Sequence, residues 1–455
     1  MKGPLPLIGF VLVAAVLVFA RSCGTDSPPR GRLGAYRLPD GRVISIRASE
    51  GASLRYRSFD TGLTRRLYPR DDHYVTGAGY SIESPIEMQA WFETDVDGLA
   101  TSVRMEWADG VVERADRVPA RTTSVAFGSG EATLCGRLDL PEGPGPFPAM
   151  VPVHGSGSDA AQDFMYTPDF YLASGFAVLT YDKRGTGCSG GDFTFDYDAL
   201  ARDAVAATRW LAARPEVDGD RIVMAGYSQG GWVAPLAAGL GAPVRGVIVN
   251  YGMIESSAEE ARLETRRLME DRGLSESELD AVDELTLGAV RIVASRFADG
   301  WDDFYAARAR YEGEPWVEQL SGTTVGRLLA LPRWVSQLIG PWLDLDGLDW
   351  YYSSDTLLDT LSTPTVWLLG DADRSAPNEL TIPKLRSLSE RRPLELVVFG
   401  GADHGALVFT EEDGVRIYTG HHPDWFRTEV EKARELTGVG ADPNASPPAG
   451  GSRRP

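Results

Sequence analysis

The chain limits its own fold most tightly at Gly226-Tyr227-Ser228-Gln229-Gly230-Gly231, where the strand-like run Arg221-Ile222-Val223-Met224-Ala225 passes directly into an amphipathic stretch, Trp232 to Leu240. A strand that becomes a helix within so few residues forces the corner residue into strained backbone geometry. Glycines on both sides remove the Cβ atoms that would collide with strand and helix. A G-x-S-x-G in that context is a nucleophile elbow, which holds Ser228 Oγ out at the top of a sheet. The helix behind it aims free N–H groups, beginning with that of Gln229, at negative charge developing on a bound molecule.

The patterns on either side say what kind of sheet this is. From about Leu33 to Val118 the chain is a series of short alternating runs, such as Leu54-Arg55-Tyr56-Arg57 and Val103-Arg104-Met105-Glu106-Trp107, with Asp40-Gly41 and Asp109-Gly110 as hairpin turns. This predicts a small antiparallel β module at 33–118, in which His73 beside Asp71 and Asp72 reads as a solvated loop histidine. Beyond Arg121 strands alternate with helices, which predicts a largely parallel sheet covered on both faces. Strands are expected near Ser124–Phe127, Ala132–Leu140, Ala149–Val153, Ala177–Tyr181, Ile222–Ala225, Val244–Asn250, Thr365–Leu369 and Leu394–Phe399. Helices are expected at Tyr197–Ala213 and Trp425–Leu436.

Between Gly252 and about Trp350 the alternation stops, and helical pattern occupies a length where one crossover would suffice. The α/β core is thus read as 119–252 and 351–437, interrupted by a helical cap at 253–350. Ser275-Glu276-Ser277-Glu278 reads as a capping box, and Gly273 as the end of the helix before it. The cap concentrates Trp301, Trp316, Trp334, Trp342 and Trp350 with Leu328, Leu329 and Leu331; such a stripe is usually core, but part of it is expected to roof a cleft. The tail, 438–455, is rich in Pro, Gly and Ala and is expected to be disordered.

A formal charge of −20 argues against nucleic acid as a partner. Lys2 followed by the apolar run Pro4 to Ala20 reads as a signal peptide or membrane anchor at 1–22, with a Pro-rich linker at 23–32, so the body of the protein is expected outside the cytoplasm. Cys23 stands where a lipidated cysteine would, although Ala20-Arg21-Ser22 matches the usual preceding residues poorly. Three cysteines, Cys23, Cys135 and Cys188, make no disulfide framework, and Cys135 and Cys188 read as small apolar fillers. No C-x-x-C or H-x-x-x-H spacing suggests a metal, and no cofactor is implied.

A serine hydroxyl needs a base, and neutral imidazole is the usual one. Of five histidines, His404 alone follows the last core strand in a short loop, Gly401-Ala402-Asp403-His404-Gly405, where the order serine, acid, histidine would put it; His421 or His422, at the opening of the last helix, is the alternative. The acid belongs at the end of the strand between, and Leu369-Gly370-Asp371-Ala372-Asp373 offers two. The common G-x-x-D-x-x-x-P spacing selects Asp373, leaving Asp371 as a loop cap and Asp403, adjacent to the histidine, as the weakest choice. His154-Gly155-Ser156-Gly157 follows a core strand, so the Ser156 amide is expected beside that of Gln229 as an oxyanion donor.

These motifs in order resemble a bacterial serine esterase of the α/β-hydrolase superfamily, in the branch with H-G-S-G (His154–Gly157), D-K-R-G (Asp182–Gly185) and G-x-S-x-G-G (Gly226–Gly231), then Gly370–Asp373 and Asp403–Gly405. The resemblance runs from about Thr122 to Leu436. It implies hydrolysis of a small-molecule carboxylic ester through an acyl-enzyme, with a serine peptidase of the same fold as the rival and an inactive envelope protein as the remote one. Where the family often continues H-G-S-G with P-x-D-R, this chain has Ser158-Asp159-Ala160-Ala161. Asp182, Lys183 and Arg184 are expected to hold a loop beside the cleft.

Overall fold

The structure is a computed structural model, and it describes residues 30–320, 323–329, 332–340, 347–412 and 415–440. Eight antiparallel strands, from β1 (Gly34–Arg37) to β8 (Val112–Arg117), close into a barrel when β1 pairs with β8. Alternation explains which residues fill it. On β2 (Val43–Ala48), Ile44 and Ile46 point into the barrel core with Tyr36, Leu54, Met88, Val103 and Met105. Its other face is also buried, because it packs against the rest of the chain. There Arg47 and Asp169 form an ion pair whose side chains are 1% and 3% exposed, and Ser45 donates to the same carboxylate at 2.5 Å. His73 lies at the start of a strand, stacked on Trp91, where a loop was expected.

The second layer is an eight-stranded, mostly parallel sheet: β9 (Ala120–Ser129), β10 (Ala132–Pro141), β11 (Phe147–Val153), β12 (Ala177–Tyr181), β13 (Val217–Tyr227), β14 (Gly246–Asn250), β15 (Thr365–Gly370) and β16 (Leu394–Phe399). Their spatial order is β16-β15-β14-β13-β11-β12-β10-β9, with β10 antiparallel to both its neighbours. Strands β12, β14 and β15 are buried along their whole length and β13 from Ile222 to Tyr227, as parallel strands covered on two faces must be. Helices Tyr197–Ala212 and Gly230–Gly239 cover one face; Thr167–Ala173 and Trp425–Thr437 cover the other. Asp196 caps the first of these by accepting from the amides of Asp198 and Ala199. A further three-stranded sheet follows β16: β17 (Ala402–Asp403), β18 (Leu407–Glu412) and β19 (Val415–His421).

The insertion after β14 is helical. Helix Ser257–Glu270 ends ahead of Gly273, at φ +83°, and helix Glu276–Ala294 opens on a capping box in which the Ser275 amide donates to Glu278 at 2.7 Å. The tryptophan stripe is chiefly core: Trp301, Trp316 and Leu328 pack inside the cap, and Trp350 is buried against Ala258 and Val290. Trp334 is 65% exposed, while Trp342 and Leu331 fall outside the described residues. Among those residues no helix is long and apolar enough to cross a membrane. The apolar run, Cys23 and all of the tail beyond residue 440 also lie outside them.

One expectation is overturned. Cys135 and Cys188 are joined in a disulfide. The antiparallel pairing of β10 with β12 sets Gly136 opposite Tyr181, and the turn after β12 folds back so that the Asp182 amide donates to the Cys135 carbonyl at 3.0 Å. Residues far apart in sequence are thereby brought to bonding distance. Asp182 lies within 4.8 Å of both sulfurs, but sulfurs joined to each other are not thiolate ligands.

Candidate active site

The strand order delivers five loops to one edge of the sheet. The carboxyl ends of β12, β11, β13, β15 and β16 carry Lys183, Gly155, Ser228, Asp373 and His404 respectively. At the elbow Ser228 has φ +53°, a left-handed conformation that costs a non-glycine residue about 1–3 kcal/mol. The flanking glycines allow it: a Cβ on Gly226 would lie 2.1 Å from the Gly230 carbonyl oxygen, and one on Gly230 would lie 2.5 Å from that of Val153.

Buried polar contacts hold the corner from beneath. The Ser228 amide donates to the Asn250 carbonyl at 3.1 Å. The Asn250 side chain donates to Glu429 Oε1 at 2.7 Å and accepts from Trp425 Nε1 at 2.7 Å. The hydroxyls of Tyr227 and Tyr171 donate to the same Glu429 oxygen. Burial pushes the Glu429 carboxyl above its ordinary range, against the pull of those three donors.

Above the elbow, His404 Nε2 is 3.0 Å from Ser228 Oγ, and His404 Nδ1 is 2.9 Å from Asp373 Oδ2. The Asp373 side chain is fully buried, and its Oδ1 accepts the amides of Ser375 at 3.0 Å and Ala376 at 2.7 Å. A carboxylate so fixed dictates that His404 Nδ1 carries the proton, leaving Nε2 free to accept one from Ser228. Burial works to lower the His404 pKa, but the charge and hydrogen bond of Asp373, with Glu260 and Asp403 behind, outweigh it and hold the imidazole above its usual value. Tyr251, at φ +41°, sets its ring 5.0 Å from that of His404.

The other candidates are placed elsewhere. Asp371 accepts the Gly401 amide at 2.7 Å and so caps the loop, and Asp403 accepts the amides of Arg374 and His404 and the side chains of Arg416 and Tyr418. His421 ends β19 and bonds Thr64 Oγ1 of the barrel at 2.7 Å, while His422 packs on Phe399. His154 is buried with both ring nitrogens unpartnered, its pKa pushed down to about 3 by burial and by the nearby Lys183 charge.

Gly155 backs directly onto the serine, since a Cβ there would lie 3.4 Å from Ser228 Cβ. Ser156 is exposed and Gln229 buried, and among the described residues neither amide meets a backbone acceptor. Two groups were not read as part of this site from sequence: Lys183 was expected only to hold a loop beside the cleft, and Glu260 had no assignment. Lys183 Nζ, buried, donates to the Gly155 carbonyl at 2.7 Å and to Gln229 Oε1 at 3.0 Å. Glu260, on the first cap helix, is raised to about 8 by burial despite the opposing His404 charge, which puts the cap beside this site. The sequence signals for Lys183 were its place in Asp182-Lys183-Arg184-Gly185 and that motif's position after a core strand; for Glu260 there was none.

A doubly covered sheet with a serine elbow after β13, a buried acid after β15 and a histidine after β16 defines an α/β hydrolase. The sequence profile of the alpha/beta hydrolase family matches residues 153–417, more than half of the chain, and the protein belongs to that family. A curated relative, esterase FrsA of Citrobacter koseri, is 33% identical over 135 residues, which are 29% of this chain and 31% of that protein. The chain thus spans about a third of that relative's length. Among solved structures, the alpha/beta hydrolase GrgF from Penicillium sp. sh18 is 20% identical, covering 70% of this chain and all of that one, at a TM-score of 0.42. The Pyrococcus furiosus esterase Pf2001 is 18% identical over 63% of this chain and 85% of that one, at 0.38.

Proposed function

We propose that this hydrolase cleaves carboxylic esters through an acyl-enzyme, with Ser228 as nucleophile, His404 as general base and then acid, and Asp373 as the group that orients the imidazole. The continuous chain of contacts from Ser228 Oγ to His404 Nε2 and from His404 Nδ1 to Asp373 carries this reading. Attack by Ser228 Oγ on the ester carbonyl passes its proton to Nε2 and puts negative charge on the carbonyl oxygen. The Ser156 and Gln229 amides are the proposed donors to that oxyanion. Collapse expels the alcohol, which takes the proton from His404, and water then repeats the sequence on the acyl group. The esterase name of the curated relative supports an ester over an amide as substrate.

The test is hydrolysis of nitrophenyl esters of graded chain length beside aminoacyl and peptidyl anilides, with fluorophosphonate labelling of Ser228. Faster cleavage of anilides than of every ester would replace the esterase reading with a peptidase one. We further propose that the apolar run in residues 1–22 exports or anchors the protein. The Cys135–Cys188 bond supports this, since disulfides persist in oxidising compartments; recovery of the protein only from the cytosolic fraction would refute it.

A further inference from the structure

Lys183 is 1% exposed and has no carboxylate partner among the described residues. Asp182, its neighbour, is turned away and occupied by Gln162 and the Cys188 amide. The ammonium is walled by the rings of Phe193 and Phe195, at 5.2 and 5.8 Å, and lies close enough to His154 to lower its pKa. A cation buried without a counter-ion is expensive, and the cost shows in its own pKa, which burial pulls down to about 8.

Its two acceptors are not arbitrary. The Gly155 carbonyl belongs to the peptide whose other end is the Ser156 N–H, and in a trans peptide these two bonds point in opposite directions. By fixing the carbonyl at 2.7 Å on its own side, Lys183 turns the Ser156 N–H away from itself. Gly155 packs against Ser228, so the peptide that Lys183 holds borders the elbow. The second acceptor is the side chain of Gln229, whose own amide is the other proposed donor. One ammonium therefore holds both the Gly155–Ser156 peptide and the Gln229 side chain. The turn that carries it is fastened in its turn, by the Cys135–Cys188 bond and by Ser189 Oγ donating to the Asp182 carbonyl at 2.7 Å.

We propose that Lys183 is the positioning residue of the oxyanion site: it orients the Ser156 and Gln229 amides, and its unpaired charge lies behind the oxygen that becomes negative. The inference rests on Ser228 being the nucleophile. Because the charge on that oxygen exists only in the transition state and tetrahedral adduct, Lys183 should matter there and not to bound ester.

The experiment compares Lys183→Met, Lys183→Arg and Ser228→Ala by steady-state hydrolysis of a nitrophenyl ester, by thermal unfolding, and by inhibition with a trifluoromethyl ketone, which forms an anionic adduct with the serine. Removing a direct oxyanion donor costs about 10²–10³ in kcat, so loss of the group that aims two of them should cost Lys183→Met about 10- to 100-fold in kcat. KM should change little, the ketone should lose affinity by a similar factor, and Lys183→Arg should recover part of both. Wild-type kcat in a folded Lys183→Met, or equal loss in KM and in ketone binding with kcat intact, overturns the proposal. Should Lys183→Met not fold, Gln229→Leu, which frees one of the two acceptors, must show the same kcat-weighted loss or the proposal fails. Retained turnover in Ser228→Ala would sink the nucleophile assignment and this inference with it. An inactive Ser228→Ala beside a fully active Lys183→Met would sink this inference alone.

Discussion

Replacing Asp373 by asparagine tests the site at its least ambiguous point. The native carboxylate uses one oxygen for the Ser375 and Ala376 amides and the other for His404 Nδ1. An asparagine placed the same way keeps its carbonyl oxygen on the two amides, so the loop should hold and the fold should survive. Its NH2 then faces His404 Nδ1, and two donors cannot share that contact. The imidazole must move its proton to Nε2, the nitrogen 3.0 Å from Ser228 Oγ, where it can no longer accept one. The wrong tautomer costs about 10⁴ in kcat, or about 5 kcal/mol at 1.36 kcal/mol per decade. A second effect follows from charge. Asp373 is the principal group raising the His404 pKa, so the acid limb of kcat/KM should lie above the ordinary histidine value in the native enzyme and move down in Asp373→Asn. The sign is fixed: protonated His404 cannot act as base, so activity falls as pH drops through its pKa. Ester hydrolysis measured from pH 5 to 9 for both proteins reads both effects. A loss under tenfold, or an acid limb that stays in place, would refute the assignment, as would a larger loss in Asp371→Asn, whose carboxylate only holds the Gly401 amide.

Ser228→Ala should lose about 10⁶ in kcat and all fluorophosphonate labelling while keeping its unfolding temperature; labelling at another serine would remove the elbow from the chemistry. Asp169→Asn should cost about 3–5 kcal/mol in urea unfolding, because Arg47 would be left as an uncompensated buried charge between barrel and hydrolase layer; a loss within ~0.5 kcal/mol would mean that water reaches the pair. Cys135→Ser with Cys188→Ser should lower stability by up to about 4 kcal/mol, the chain-entropy value for a closed loop of this span, the bonded residues being 53 apart; an unchanged denaturant midpoint would show that the sulfurs are not joined in solution.

What could be read in the sequence was whatever is encoded locally. The elbow announces itself because strand, strained serine and helix are consecutive, and His404 and Asp373 are legible because each ends a strand whose apolar run is intact. The Gly-rich turn at His154–Gly157 follows the same rule. What escaped depends on pairings between distant segments. Cys135 and Cys188 meet only because β10 runs antiparallel to β12, a neighbour that no spacing reveals. The closure of the barrel depends on β1 finding β8, and the doubly buried face of β2 on docking against Asp169. Part of the tryptophan stripe was expected to roof a cleft, because periodicity locates an apolar face without saying what covers it; Trp301 and Trp316 pack inside the cap. Lys183 was read as a loop residue because its two acceptors belong to loops after other strands.

The charges around the elbow are sorted in a way that suits the proposed acyl transfer. Under the proposed mechanism the imidazole becomes positive in the transition state while the substrate oxygen becomes negative. Asp373, Glu260 and Asp403 act on His404, each favouring its charged form. Lys183, next to Gln229, has two uncharged acceptors. In a partly buried site these fields are weakly screened, so the charged imidazole is favoured before any substrate arrives. Exchanging the signs should be worse than deleting either: Lys183→Glu would place a carboxylate behind the oxyanion, and its loss of kcat should exceed that of Lys183→Met at equal stability. If the two variants proved equally slow, Lys183 would act through the geometry of the Gly155–Ser156 peptide alone, and its charge would have no part in the chemistry.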